Sequence, residues 1–181
     1  MKRSLKLFAV AIVFSGVFCF SQCRKDNPKP DNPYGLPNAT QTGAGVFACL
    51  INGQKFIAGH QRPYFPHGAQ VEGDSLYLNA APAVSHYYTI IGIYIKPLNY
   101  DKNEYAIDAV NVEAAFGTDS TCLGFIGGIT SYSKTGNIVI TKLDTARRIV
   151  SGTFEGLTFA IPGCDTLHVT NGRFDYYYYY H

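Results

Sequence analysis

The chain has 181 residues, of which 46% are hydrophobic and 15% charged, with a formal net charge of +2. That length allows one domain with a real core, and near-neutrality excludes the basic field that nucleic-acid partners require. Fourteen Tyr and 12 Phe, with no Trp, favour strands over helices when joined by Val, Ile and Thr.

The first element is a leader. Lys2, Arg3 and Lys6 precede an apolar run over residues 7–20, and Ser21, Gln22 and Cys23 follow it. The run is about 14 residues, the length of a signal-peptide apolar region, whereas a bilayer span needs about 20. Basic start, apolar run and cysteine resemble a bacterial lipoprotein signal, although Gln22 is atypical just before the cysteine. Cleavage there would leave Cys23 as the acylated first residue, and two or more acyl chains, at about 0.8 kcal/mol per buried methylene, hold stably to a membrane. Removing 22 of the 181 residues leaves 159, with 12 basic residues against 13 acidic. Arg24, Lys25 and Asp26 lack the aspartate at the second position that retains lipoproteins at the inner membrane. The expected location is therefore the outer membrane, with either face open.

Residues 24–45 contain four prolines and three glycines and few apolar residues. They read as a flexible tether behind the lipid, leaving 46–181 as a single β domain. Asn52-Gly53 lies between apolar runs 46–51 and 54–58 and predicts a hairpin. Residues 59–69 read as a loop, and 75–80 as a strand. Residues 86–96 carry apolar side chains on both faces, so they predict a central strand, ended by Pro97. Weaker strands are expected over 104–109 and 112–116. Lys134 to Asn137 predict a hairpin turn between 125–132 and 138–143. Residues 149–161 read as one long strand. Asn171-Gly172 predicts a last hairpin, between 166–170 and 173–180. About ten short strands joined by hairpins imply an all-β antiparallel sandwich or barrel.

After Cys23, three thiols remain. Cys49 sits in an apolar strand and reads as a buried small hydrophobe. Cys122 and Cys164 fall in loop-like stretches and are the candidate bridge; closing a loop of about 43 residues would stabilise by about 4 kcal/mol.

Segment 36–52, LPNATQTGAGVFACLING, resembles the opening of an uncharacterised family of Bacteroidetes lipoproteins. Segments ITKLDTARRIVSGTFEG and CDTLHVTNGRFD are similar to that family's ending. The resemblance implies a small secreted β domain and carries no established activity. It also implies an unpaired Cys49, which matches the family's usual cysteine, and so supports pairing the other two.

Four Asp-Ser/Thr steps resemble the O-glycosylation signal of that phylum's secreted proteins, with acceptors Ser75, Ser120, Thr145 and Thr166. Asp-Ser and Asp-Thr also begin turns by bonding their own backbone. The loop with Arg62, Tyr64 and Phe65 presents aromatic faces and a guanidinium suited to sugars. The run Tyr176 to Tyr180 would, in a strand, send Tyr177 and Tyr179 to the face opposite Phe174, Tyr176, Tyr178 and Tyr180. No common nucleophile, phosphate-loop or metal motif is present in the sequence, and no cofactor is expected. The reading is a non-enzymatic envelope lipoprotein that binds a glycan or an envelope protein or serves a structural role. The alternative is a small hydrolase using His60, His67, Glu72 and Asp74.

Overall fold

A computed structural model describes residues 34–59, 67–82, 89–108, 110–118 and 129–180. Among them run twelve strands and no helix: β1 (Val46–Ile51), β2 (Gln54–Ile57), β3 (Gly68–Glu72), β4 (Ser75–Ala80), β5 (Thr89–Ile95), β6 (Glu104–Ala106), β7 (Val112–Thr118), β8 (Ile129–Tyr132), β9 (Asn137–Asp144), β10 (Ile149–Glu155), β11 (Leu157–Phe159) and β12 (Leu167–Tyr180). The all-β expectation holds, whereas the expected antiparallel sandwich or barrel is replaced by an open sheet with one parallel pair, β12 with β3. The strands form one curled open sheet, a half-barrel, with the path β6-β9-β10-β12-β3-β4-β5-β7-β8.

Strand β12 is the spine. Its 14 residues rise about 3.3 Å each, so it is long enough to serve several neighbours in turn. On one side it pairs antiparallel with β10 over Gly172–Tyr177 and with β11 over Leu167–Val169. On the other it pairs antiparallel with β1, and then parallel with β3 through Tyr178, Tyr179 and Tyr180. The chain's last strand thus joins the sheet's two halves.

The first Asn-Gly hairpin forms as expected, with Ile51 opposite Gln54 and positive φ at Asn52 and Gly53. Strand β5 is central, between β4 and β7. Four local expectations are corrected. Asn171-Gly172 makes no turn. It is a bulge inside β12, where the β1 register shifts between Ala48 and Leu50. Asn171 takes φ 54, and a bulge uses a left-handed residue as readily as a hairpin does. The 134–137 turn does not join a hairpin, because β8 pairs with β7 while β9 pairs with β6 and β10. The strand expected over 149–161 breaks at Gly156, φ 70. Part of the expected 59–69 loop is strand β3, which forms a hairpin with β4.

The inner face carries the core. Fully buried Leu76, Leu78, Ile91, Ile95, Ile138 and Leu157 meet Phe47, Phe154, Phe159 and Phe174. Two Gly-x-Phe pairs lock β10 to β12. Gly152 lies opposite Phe174, and Phe154 lies opposite Gly172. A Cβ on Gly152 would stand 2.5 Å from the Phe174 ring, and one on Gly172 would stand 2.2 Å from the Phe154 ring. Each ring therefore covers the other strand's glycine, which removes the gap a glycine leaves in a sheet. Phe47 of β1 adds a third ring, 5.0 Å from Phe154. Phe116 and Phe159, 5.6 Å apart, bring β7 close to β11. Ser131 Oγ donates to Ala160 O at 2.9 Å, and Thr158 N donates to Ser133 Oγ at 2.8 Å, which ties the β8 end of the sheet toward β11.

Candidate functional site

Residues 36–44, which composition assigns to the tether, lie seated on the outer face of β1 and β12. Leu36 packs with Ala48 and Leu50 in a small cluster. Arg173 Nη1 donates to Pro37 O at 3.0 Å. The seat itself is Asp175, which is fully buried. Its carboxylate accepts from Thr40 Oγ1 at 2.6 Å, Ser151 Oγ at 2.7 Å, Gly43 N at 2.8 Å, Ala44 N at 3.0 Å and Thr42 N at 3.1 Å. Three successive backbone N–H groups turn toward one anion because Gly43 takes φ 77, which makes a nest. Burial pushes the Asp175 pKa up. The hydrogen bonds from Thr40, Ala44, Ser151 and Gly43 outweigh it and hold the group at about 2. The ATQTG and RFD segments are thus two halves of one latch.

The latch places the glycines of the strap against the tyrosine tail. Tyr176 and Tyr178 turn inward and are buried, while Tyr177 is 55% and Tyr179 65% exposed. Burial pushes the Tyr176 phenol well up. The expected alternation of the tail is therefore present through Tyr179, while Tyr180, at the end of the strand, is 52% exposed. A Cβ on Gly43 would stand 2.7 Å from the Tyr177 ring, so that ring rests on bare backbone. Between strap and tail lies a depression of about 210 Å³, lined by Gly43, Gly45, His67, Gly68, Tyr177 and Tyr179 among others. A second, shallower depression of about 50 Å³ lies on the other side of Tyr179, against Gln70, Tyr77 and Asn79. The two share His67, Gly68 and Tyr179.

Sheet register extends this surface. Tyr179 stands opposite Gln70, Gln70 opposite Tyr77, Tyr77 opposite Tyr94, and Tyr94 opposite Glu113. Laterally paired residues share a face, so these five form one row across β12, β3, β4, β5 and β7. The Tyr77 and Tyr94 rings lie 4.8 Å apart and tilted. Burial and a hydrogen bond with Tyr94 push the Tyr77 phenol up.

Tyr77, Tyr94, Gln70 and Asn79 escaped the sequence reading. Their signal was present: in GAQVE, SLYLNA and TIIGIYI they occupy the positions that alternate with the buried alanine, valine, leucines and isoleucines. Arg62, Tyr64, Phe65, His60, Cys122, Ser120 and Cys23 lie outside the described residues. Cys164 is half-buried after β11, and Cys49 is free and fully buried. Burial pushes its thiol up to about 12. Of the glycosylation candidates, Thr145 and Thr166 are exposed, whereas Ser75 is only 4% exposed. Asp144 Oδ1 accepts from Arg147 N at 2.8 Å, the turn-forming role expected of Asp before Thr145.

Of the hydrolase residues, His60 lies outside the described residues, and His67, Glu72 and Asp74 are spread along β3 and the turn after it. His67 precedes β3, with its Nδ1 3.5 Å from Tyr176 Oη. Glu72 ends β3 and Asp74 lies in the turn beyond it. Five residues of strand separate His67 from Glu72, about 16 Å at a strand's rise. Among the described residues no three His, Cys, Asp or Glu side chains gather where they could hold a metal ion. No known protein family, curated protein or solved structure matches the chain.

Proposed function

We propose that this chain is a lipid-anchored module of the bacterial outer membrane that binds a partner, a glycan or an envelope protein, through its outer tyrosine face. The observation that carries the reading is the row Tyr179–Gln70–Tyr77–Tyr94 beside the strap, exposed at Tyr179 and half-buried at the other three. Exposed aromatics such as Tyr177 and Tyr179, continued by the half-buried Tyr77 and Tyr94, mark an interaction surface on an otherwise polar exterior. The resemblance of residues 1–23 to a lipoprotein signal supports the anchor, and the resemblance of both ends of the domain to Bacteroidetes lipoproteins supports the compartment. Secretion also supports a Cys122–Cys164 bridge.

Detergent phase separation of cells making the native chain and a Cys23→Ala version tests the anchor. The native protein is expected in the detergent phase, and the variant in the aqueous phase. Equal partition of the two would contradict lipidation at Cys23. Intact mass before and after reduction tests the bridge, with a gain of two hydrogens expected.

A further inference from the structure

We infer that the two depressions flanking Tyr179 are adjoining subsites for pyranose rings of a neutral oligosaccharide. This rests on the binding reading above and names the ligand class.

Three observations carry it. The first is charge. Among the described residues, those lining the two depressions include no Lys, Arg, Asp or Glu. An anionic or cationic ligand would lose hydration there without a counter-charge, whereas a neutral one loses none of that kind. The second is the mixture of surfaces. Tyr177, Tyr179 and Tyr77 offer ring faces to the C–H face of a sugar. The Gln70 and Asn79 amides each offer both a donor and an acceptor, which suits hydroxyls. Neutral amides alternating with rings along the Tyr179–Gln70–Tyr77 row put both kinds of contact within one sugar's reach. The third is preorganisation. The wall of the larger depression is the Gly43–Gly45 strap, clamped by the buried Asp175 carboxylate. Its floor is the sheet, and Tyr179 stands between the two depressions. A site whose backbone is already fixed loses little entropy on binding. The cavities share His67, Gly68 and Tyr179, so two linked rings reach both where a single ring reaches one. Tyr179 to Tyr77 spans two strand spacings, about 10 Å, the scale of two linked sugars.

The test uses the chain from residue 24 onward, which holds the whole compact unit Tyr34–His181. It is applied to an array of neutral and anionic oligosaccharides, and hits are measured by titration calorimetry. Neutral oligosaccharides are expected to bind, longer than one ring better than monosaccharides. Tyr179→Ala should weaken binding at least tenfold and Gln70→Ala measurably. Tyr132→Ala, an equally exposed tyrosine on edge strand β8, should leave it unchanged. A silent array, a preference for anionic sugars, or a Tyr179→Ala variant that binds as well as the native chain would overturn the inference. A photo-crosslinking residue at position 179 in cells separates the two levels of failure. A protein adduct with a silent array removes the glycan and keeps the binding face. No adduct and a silent array remove both.

Discussion

Asp175 shows how one side chain can organise a segment that composition alone leaves free. An isolated buried carboxylate is costly, and here five donors within 3.1 Å offset that cost. Its folded pKa of about 2 lies below the ordinary 3.8. The sign follows directly. A depressed carboxylate stabilises the fold fully above about pH 4, and that contribution, on the order of 2 kcal/mol, is lost as pH falls toward 2. Asp175→Asn is expected to cost about 3 kcal/mol at pH 7, measured by denaturant unfolding. The difference between native and variant should shrink on acidification through that window; a difference that grows would contradict the latch. Cys49 gives a second residue-scale expectation. Its burial and raised pKa should leave it unmodified by iodoacetamide at pH 8 until denaturant is added, as read by intact mass.

At the scale of elements, β12 decides most of the fold. The crossed Gly152–Phe174 and Phe154–Gly172 contacts leave no room for a methyl group. Gly172→Ala should therefore destabilise by about 1–3 kcal/mol, as a lowered unfolding midpoint, far more than an exposed strand glycine would. The tail makes a paired expectation. Tyr178→Ala should cost about 3 kcal/mol as a core truncation, whereas Tyr179→Ala should stay within about 0.5 kcal/mol. Equal costs would mean that the two faces of the tail are not distinct. The alternation that assigns these roles was readable, because a run of tyrosines in a strand must divide between two faces. The Asn52-Gly53 turn was readable for a similar reason. Asn171-Gly172 misled because its local signal specifies a left-handed residue and leaves open whether the chain reverses there. Long-range pairing with both β1 and β10 decided for a bulge.

For the whole molecule, what the sequence left hidden were relations between distant segments. Composition placed residues 36–44 in a tether, yet Thr40 and Asp175, 135 positions apart, meet at 2.6 Å. The tyrosine face was half legible: Tyr177 and Tyr179 stood out as a run, whereas Tyr77 and Tyr94 join them only through the parallel pairing of β12 with β3. That pairing has no local signal, since parallel neighbours are set by tertiary closure. The resulting molecule is a half-barrel whose inner face is core and whose outer face, beside a clamped strap, carries a row of aromatic and amide groups that ends at Glu113. The most direct measurement is residue-resolved tyrosine iodination of the purified chain, with and without a saturating mixture of neutral oligosaccharides. Tyr177 and Tyr179 should label readily in the free protein, Tyr176 and Tyr178 should not, and the oligosaccharides should protect Tyr179 while leaving Tyr132 reactive. Equal labelling of the inward and outward tyrosines would contradict the binding face, and no protection at Tyr179 would contradict the glycan subsites.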